Sequence, residues 1–184
     1  MALMVAREVP TSSTMAVPHG PASVGAARRR LRRDLGDQEV PDTVIDDAVL
    51  ILSELLSNSC RYARPLGPLL DLTERDFAEE FPGNGSNMTW HQEVRDSATE
   101  DLGGILVRWQ MHGDGTLTLE VTDGGATTRP LPARPSLTAR GGRGLSIVGQ
   151  LATDWGVRDA PGEVTVWAAL PAHDRVPEPQ RVQP

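Results

Sequence analysis

Residues 53–63, SELLSNSCRYA, close a helix that is apolar on several sides, yet Glu54, Asn58 and Arg61 or Tyr62 recur along it at helical spacing. Positions four and seven or eight apart share a helix face, so these side chains form one polar line. Val44, Ala48, Val49, Ile51, Leu52, Leu55 and Leu56 supply a broad apolar face beside it. Two readings fit the line alone: the solvent side of an amphipathic helix, or one wall of a site. Asparagine is a weak helix former, about 0.5 kcal/mol or more below alanine, so its place in mid-helix favours a purpose. The helix starts well at Pro41 and Asp42 and stops at Pro65.

Outward from this helix, STMAV (13–17) reads as a short strand and ASVGAARRRLRRDLG (22–36) as a helix ending at Gly36. Its run Arg28 to Arg33 is either a solvated face or a patch for an acidic partner. Between Leu66 and Gly104 the periodicity is lost, and nine acidic residues from Asp71 to Asp101 face only Arg75 and Arg95, which reads as an acidic insertion. GILVRWQMHGDGTLTLEVTDGG then alternates as a hairpin turning at HGDG. A Pro-rich loop follows, GRGLSIVGQLA restarts as a helix, and TDWGVRD and EVTVWAALP close the chain as strands; Trp109 of the hairpin and Trp155 and Trp167 of these strands are expected in the core. Hairpins outnumber crossovers, so the expected fold is α+β, a two-layer sandwich with a mostly antiparallel sheet and helices on one face. Residues 1–11 and 173–184 are expected to be flexible, with one domain over 12–172.

The chain has 184 residues and a formal net charge of -7, which disfavours wholesale binding to nucleic acid or anionic membrane. All eighteen basic residues are arginine, which excludes a phosphate loop ending in Gly-Lys and any Schiff-base lysine. Phosphate chemistry here would use backbone N–H groups, arginine or a metal. The single cysteine, Cys60, excludes an internal disulfide, and no apolar run reaches the roughly 20 residues of a membrane span, so a cytoplasmic protein is expected. His19, His91, His112 and His173 have no metal-ligand spacing.

Two further motifs carry chemistry. TDGG (122–125) ends a strand with Asp123 and two glycines; a turn would explain it, and so would a carboxylate that accepts from an exocyclic amine while the glycines let a ligand approach the backbone. RGGRGL (140–145) places Gly141, Gly142 and Gly144 before a helix, where exposed N–H groups favour anions.

In order, the helix box ELLSNSCRYA, the aspartate box DGG, the glycine box GGRGL and the closing strand EVTVWAALP resemble the nucleotide site of the ATPase superfamily shared by gyrase, heat-shock 90 chaperones, mismatch-repair ATPases and bacterial histidine kinases. Within it, SELLSNSCRYA and GRGLSIVGQLATDWGV look most like the anti-sigma-factor serine kinases and their actinobacterial ATP-binding relatives. The resemblance covers about residues 13 to 171 without the 66–104 insertion. It implies the Bergerat form of the sandwich, with a lid over 124–141. It also implies Asn58 as ligand of a Mg ion on the ATP phosphates, and Glu54 as the base or water-orienting carboxylate. Arg61 would lie near phosphate and Tyr62 along the pocket; Asp123 would hold the adenine amino group, with Gly125 letting the base sit close. Gly142, Gly144 and Leu145 would form the phosphate cradle, and Thr165 would touch the adenine side. Thr127 stands where the fuller aspartate box has a further glycine. The activity implied is transfer of the terminal phosphoryl group of ATP to a serine or threonine of an anti-sigma-factor antagonist, with a sigma factor as second partner and a homodimer possible; the other class is a nucleotide-sensing module without catalysis.

Overall fold

The computed structural model describes residues 11–68, 103–126 and 143–173. Over these the elements run β1 (Thr11–Pro18), α1 (Ala22–Asp37), α2 (Asp42–Tyr62), β2 (Gly104–Met111), β3 (Thr116–Asp123), α3 (Arg143–Leu151), β4 (Asp154–Ala160) and β5 (Glu163–Pro171). The strands form one sheet in the order β1-β2-β3-β5-β4, and every neighbouring pair is antiparallel. This is the two-layer α+β arrangement the hairpins imply. The expected flexible ends, most of the acidic insertion and most of the lid, with Trp90 and His91, lie outside the described residues.

Alternation decides which face of the sheet the helices cover. In β3, Leu117, Leu119, Val121 and Asp123 are buried while their alternates are half-buried. The register sets Val107 against Val121, Trp109 against Leu119, Leu119 against Ala168 and Leu117 against Leu170, so one continuous apolar face runs across three strands. Against it pack Leu52, Leu55 and Leu56 of α2, Leu31 and Leu35 of α1, and Leu145 and Val148 of α3, in a single core. Burying a leucine or isoleucine side chain contributes about 1.5–3 kcal/mol, which makes this cluster the main support of the fold.

Trp167 departs from the expectation that it fills the core. It pairs with Glu120 and Gly156, residues of the other parity, and so lies on the face away from the helices. There its ring crosses Gly156, where a Cβ would come within 3.0 Å of it, and the Arg158 guanidinium sits 5.9 Å from its centroid. Arg158 also pairs with Glu120.

Helix α1 does not stop at Gly36. Its last turn is closed by Glu39 N–H to Gly36 O at 3.0 Å and Val40 N–H to Leu35 O at 3.1 Å. This double bond pattern puts the residue after the cap in the left-handed region, and Glu39 has φ 57. Of the basic run, Arg30 binds Asp34 within the helix at 2.8 Å and Arg32 binds Asp46 of α2 at 2.7 Å, while Arg28 and Arg29 are exposed.

Candidate functional site

The polar line of α2 has a definite orientation. Cys60 Sγ donates to Gly20 O at 3.3 Å, at the approach to α1, and so marks the α1 side of α2. Asn58, two residues earlier, lies about 160° round the helix from it. Helix α2 also packs against α3. Glu54 lies one turn before Asn58, and both are half-buried, whereas Arg61 and Tyr62 at the end of the line are exposed, Tyr62 by 57%. Glu54 and Asn58 therefore share the flank of α2 turned away from Cys60 and the approach to α1.

Beyond Tyr62 the chain leaves the helix in an extended conformation at Ala63 and becomes a strap. Arg64 N–H donates to Gly125 O at 2.9 Å and Gly124 N–H to Arg64 O at 2.8 Å; then Leu66 N–H donates to Gly104 O at 2.9 Å and Gly104 N–H to Gly67 O at 3.1 Å. The four bonds stitch the end of α2 to the end of β3 and to the start of β2. Contact is too close for side chains: a Cβ on Gly124 would stand 2.4 Å from Pro65 O, and one on Gly103 would stand 2.4 Å from Pro65 Cβ. Gly124 is thus required by the strap. Gly125 has φ 74, a conformation that glycine adopts without strain.

Asp123 sits where these elements meet. It is 5% exposed, on the helix-facing side of the sheet, and its Oδ1 accepts the Gly125 N–H at 2.8 Å. Burial pushes its carboxyl above the usual carboxylate range, opposed by the Ser59 hydroxyl, the Gly125 N–H and His19. Ser59, the residue after Asn58, is 4% exposed, and its Oγ is buried without a hydrogen-bond partner of regular geometry. Its carbonyl is engaged: His19 Nε2 lies 3.3 Å from Ser59 O and 3.0 Å from Ala63 O, the position of a donor capping the last carbonyls of α2. Burial also raises the Cys60 thiol, with the charge of Asp123 adding to it.

The structure thus brings Ser59, Asp123 and Gly125 together at one end of the sheet, with Asn58 and Glu54 on the adjoining turns of α2. Gly144 and Leu145 open α3, and the Leu145 side chain is 7% exposed within the core. Thr165 does not join them. It pairs with Thr122 and shares a 2.8 Å hydroxyl contact with it, on the face opposite Asp123. Val164 is the β5 residue paired with Asp123. Gly142 lies outside the described residues. Sequence reasoning missed Ser59 and His19; the serine directly after Asn58 was the available signal for the first, and nothing local signals the second.

Among the described residues no group of three or more His, Cys, Asp or Glu could hold a metal ion. A Mg ion beside Asn58 would rest on that one amide oxygen and on phosphate oxygens, the mode usual for Mg with nucleotides. Two open grooves of about 460 and 230 Å³ lie elsewhere, round Glu39, His112 and His173 and round Thr43, Asp47 and Leu170. Neither includes a residue of the Asp123 cluster. No helix among the described residues is long and apolar enough to cross a membrane.

Residues 17–170 match the profile of the histidine kinase-like ATPase domain. No curated protein matches the chain. Among solved structures, the crystal structure of the RsbU and RsbW domains of Rv1364c from Mycobacterium tuberculosis is similar, with a TM-score of 0.54 and 16% identity. The match covers 88% of this chain and 32% of that one, so the chain spans about a third of it, and at this identity the likeness is one of fold.

Proposed function

The chain belongs to the histidine kinase-like ATPase family, and on that premise we propose that it is an ATP-binding regulator of the anti-sigma-factor kinase kind, phosphorylating a serine or threonine of an antagonist protein. The observation that carries the reading is the Asp123 carboxylate, buried at the end of a polar helix line although burial disfavours its charge, with the Ser59 hydroxyl beside it. Buried polar groups in folded proteins are paired as a rule, and those that are not mark a ligand, an ion or water.

In this reading Asp123 accepts the adenine amino group. Gly125, already in the left-handed region, leaves the base room. Asn58 offers an amide oxygen to Mg, which when bound would neutralise phosphate charge. The N–H groups at the start of α3, near Gly144, face the phosphates with the positive end of the helix dipole. Glu54 takes the proton of the attacking hydroxyl as the new oxygen–phosphorus bond forms and the bond from the γ-phosphorus to the β–γ bridging oxygen breaks, leaving ADP. Arg61 and Tyr62, both exposed, lie on the rim. The partners are an antagonist carrying the acceptor hydroxyl and a sigma factor held when that antagonist is absent or phosphorylated.

A second reading keeps the nucleotide and drops the chemistry. The strap from Arg64 to Pro68 favours it, because the same short segment is bonded to the root of the lid at Gly124 and, as it enters the insertion, to the far end of that insertion, through the Leu66 bond to Gly104 and the bridge from Pro68 to Gly103. Such a link would let occupancy be reported to a partner. Incubation with labelled ATP and candidate antagonists separates the two: label on the antagonist, lost in Glu54→Gln, supports the kinase, whereas binding without transfer leaves the sensor.

A further inference from the structure

The two grooves away from the Asp123 cluster have no part in the reading so far. They meet at His173, which lines both. The narrower, of about 230 Å³, lies between the start of α2 and the end of α3 and is largely apolar, with Val44, Leu151, Leu170 and Pro171 in its wall. The wider, of about 460 Å³, runs from there past Glu39 and His112 to Thr11. The sheet register traces the same path from inside: Thr11 pairs with Met111, Met111 with Leu117 and Leu117 with Leu170, one row across the end of the sheet. Strands lie about 4.8 Å apart, so the three steps from Thr11 to Leu170 amount to about 14 Å. Thr11, where β1 begins, thus stands at one end of a groove whose other end is apolar.

We infer that this groove is the docking site of the ten residues before Thr11, MALMVAREVP, with Leu3 and Met4 seated against Leu151 and Pro171. Reach allows it: ten extended residues span up to about 33 Å, more than twice the path from Thr11 to Leu170. Composition selects this segment. Met1 to Ala6 is an apolar run without a charge, whereas DRVPEPQRVQP, which leaves the same groove after His173, carries Asp174, Arg175, Glu178, Arg181 and three prolines. Charge agrees, since the lining holds Glu39 and Asp47 and no arginine, and Arg7 is the one basic residue of the segment. Docking takes apolar side chains on both sides out of water, and it ties the start of α2 and the end of α3 to the edge strand β1.

This inference is independent of the nucleotide reading, because neither groove holds a residue of the Asp123 cluster. Its test uses the full chain. Leu3→Asp combined with Met4→Asp leaves every described residue in place and sets two charges against an apolar wall, so the thermal melt falls by on the order of 5 °C. The matched pair in the tail, Val176→Asp with Val182→Asp, leaves the melt unchanged. Photo-cross-linking locates the segment directly: with p-benzoylphenylalanine in place of Leu3, irradiation and peptide mass mapping join residue 3 to residues 43–47, 151 or 170–173 of the same chain. A melt unmoved by the Leu3 and Met4 changes overturns the inference, as does an equal or larger drop in the tail pair, which makes the tail the occupant. Cross-links that fall outside those stretches overturn it too, and so do cross-links between two chains, which give the groove to a second copy.

Discussion

Adding one methyl group at position 124 is expected to damage the protein about as much as a large core truncation would. In Gly124→Ala the new Cβ would stand 2.4 Å from Pro65 O, 3.1 Å from Arg64 O and 3.2 Å from the Pro65 carbonyl carbon. Carbon to oxygen contacts normally lie at about 3.3–3.6 Å, so the strap must retreat by about 1 Å. All three obstructing atoms are backbone, and no side-chain rotation relieves them. A 1 Å retreat breaks the pair of bonds between Arg64 and the Gly124–Gly125 turn, at 2.8 and 2.9 Å. Each contributes about 1 kcal/mol net, and the overpacking that remains costs about 1–3 kcal/mol, for a loss of about 3–5 kcal/mol. In a chain of this size each kcal/mol moves Tm by roughly 2–4 °C, so the melt should drop by on the order of 10 °C. The matched control is Gly36→Ala, in the last turn of α1 with nothing within 4 Å of the added Cβ, which should raise stability by up to about 1 kcal/mol. Circular dichroism melts of the two variants decide the matter. A Gly124→Ala protein melting within about 2 °C of wild type would refute the claim that this glycine is fixed by the strap.

Other outcomes follow from the same geometry. Glu39→Gly relieves the left-handed backbone at φ 57 and should stabilise by roughly 1 kcal/mol in urea titration, with no effect on nucleotide binding. Asp123, held above the usual carboxylate range by burial, destabilises the fold when ionised: the penalty is complete above its folded pKa and fades as pH falls through it toward the ordinary value. Asp123→Asn should therefore melt higher than wild type at neutral pH, by a margin that shrinks on acidification, while losing ADP affinity in calorimetry. Glu54→Gln should keep Mg-ATP binding within a few-fold, since the group is assigned to proton removal and not to holding the nucleotide, and should abolish phosphoryl transfer in the labelled-ATP assay.

Much of the fold was legible because periodicity is a local signal. The apolar face of α2 and the alternation on either side of HGDG each lie in one continuous stretch, and the elements form where those stretches predict them. The same alternation in EVTVWAALP also separates Val164, Val166, Ala168 and Leu170 from Thr165 and Trp167. Strand parity thus placed both Thr165 and Trp167 outside the helix-facing layer, and assigning Trp167 to the core was a misreading of information the sequence contained. Glu39 was not legible in this way. Gly36 offers the usual stop signal, but the helix runs past it until residues 39 and 40 can bond back to Gly36 and Leu35, and the positive φ falls on a glutamate. His19 and the strap depend on contacts between residues far apart in the chain, from Leu66 to Gly104 and from Arg64 to Gly124, which no local pattern encodes.

The candidate site was legible in its parts and not in its assembly. SELLSNSCRYA carries the polar line, but what aims it is the chain just beyond, where Arg64 and Pro65 clamp onto Gly124. Those bonds fix the end of α2 against the end of β3 and so hold Ser59 beside Asp123. The rest of this interior is ordinary, with leucine, valine and isoleucine interleaved between sheet and helices. Against it stand a buried carboxylate that burial disfavours and, beside it, a buried hydroxyl without a hydrogen bond of regular geometry. Each weakens the protein alone, and either is easily replaced by an apolar residue of similar size. A second buried polar group without a partner, the Trp109 indole N–H, lies elsewhere in the core, but only at the end of α2 and β3 does such a group stand beside a buried carboxylate, and that pairing is the reason to look for the ligand there and not in the grooves round His173.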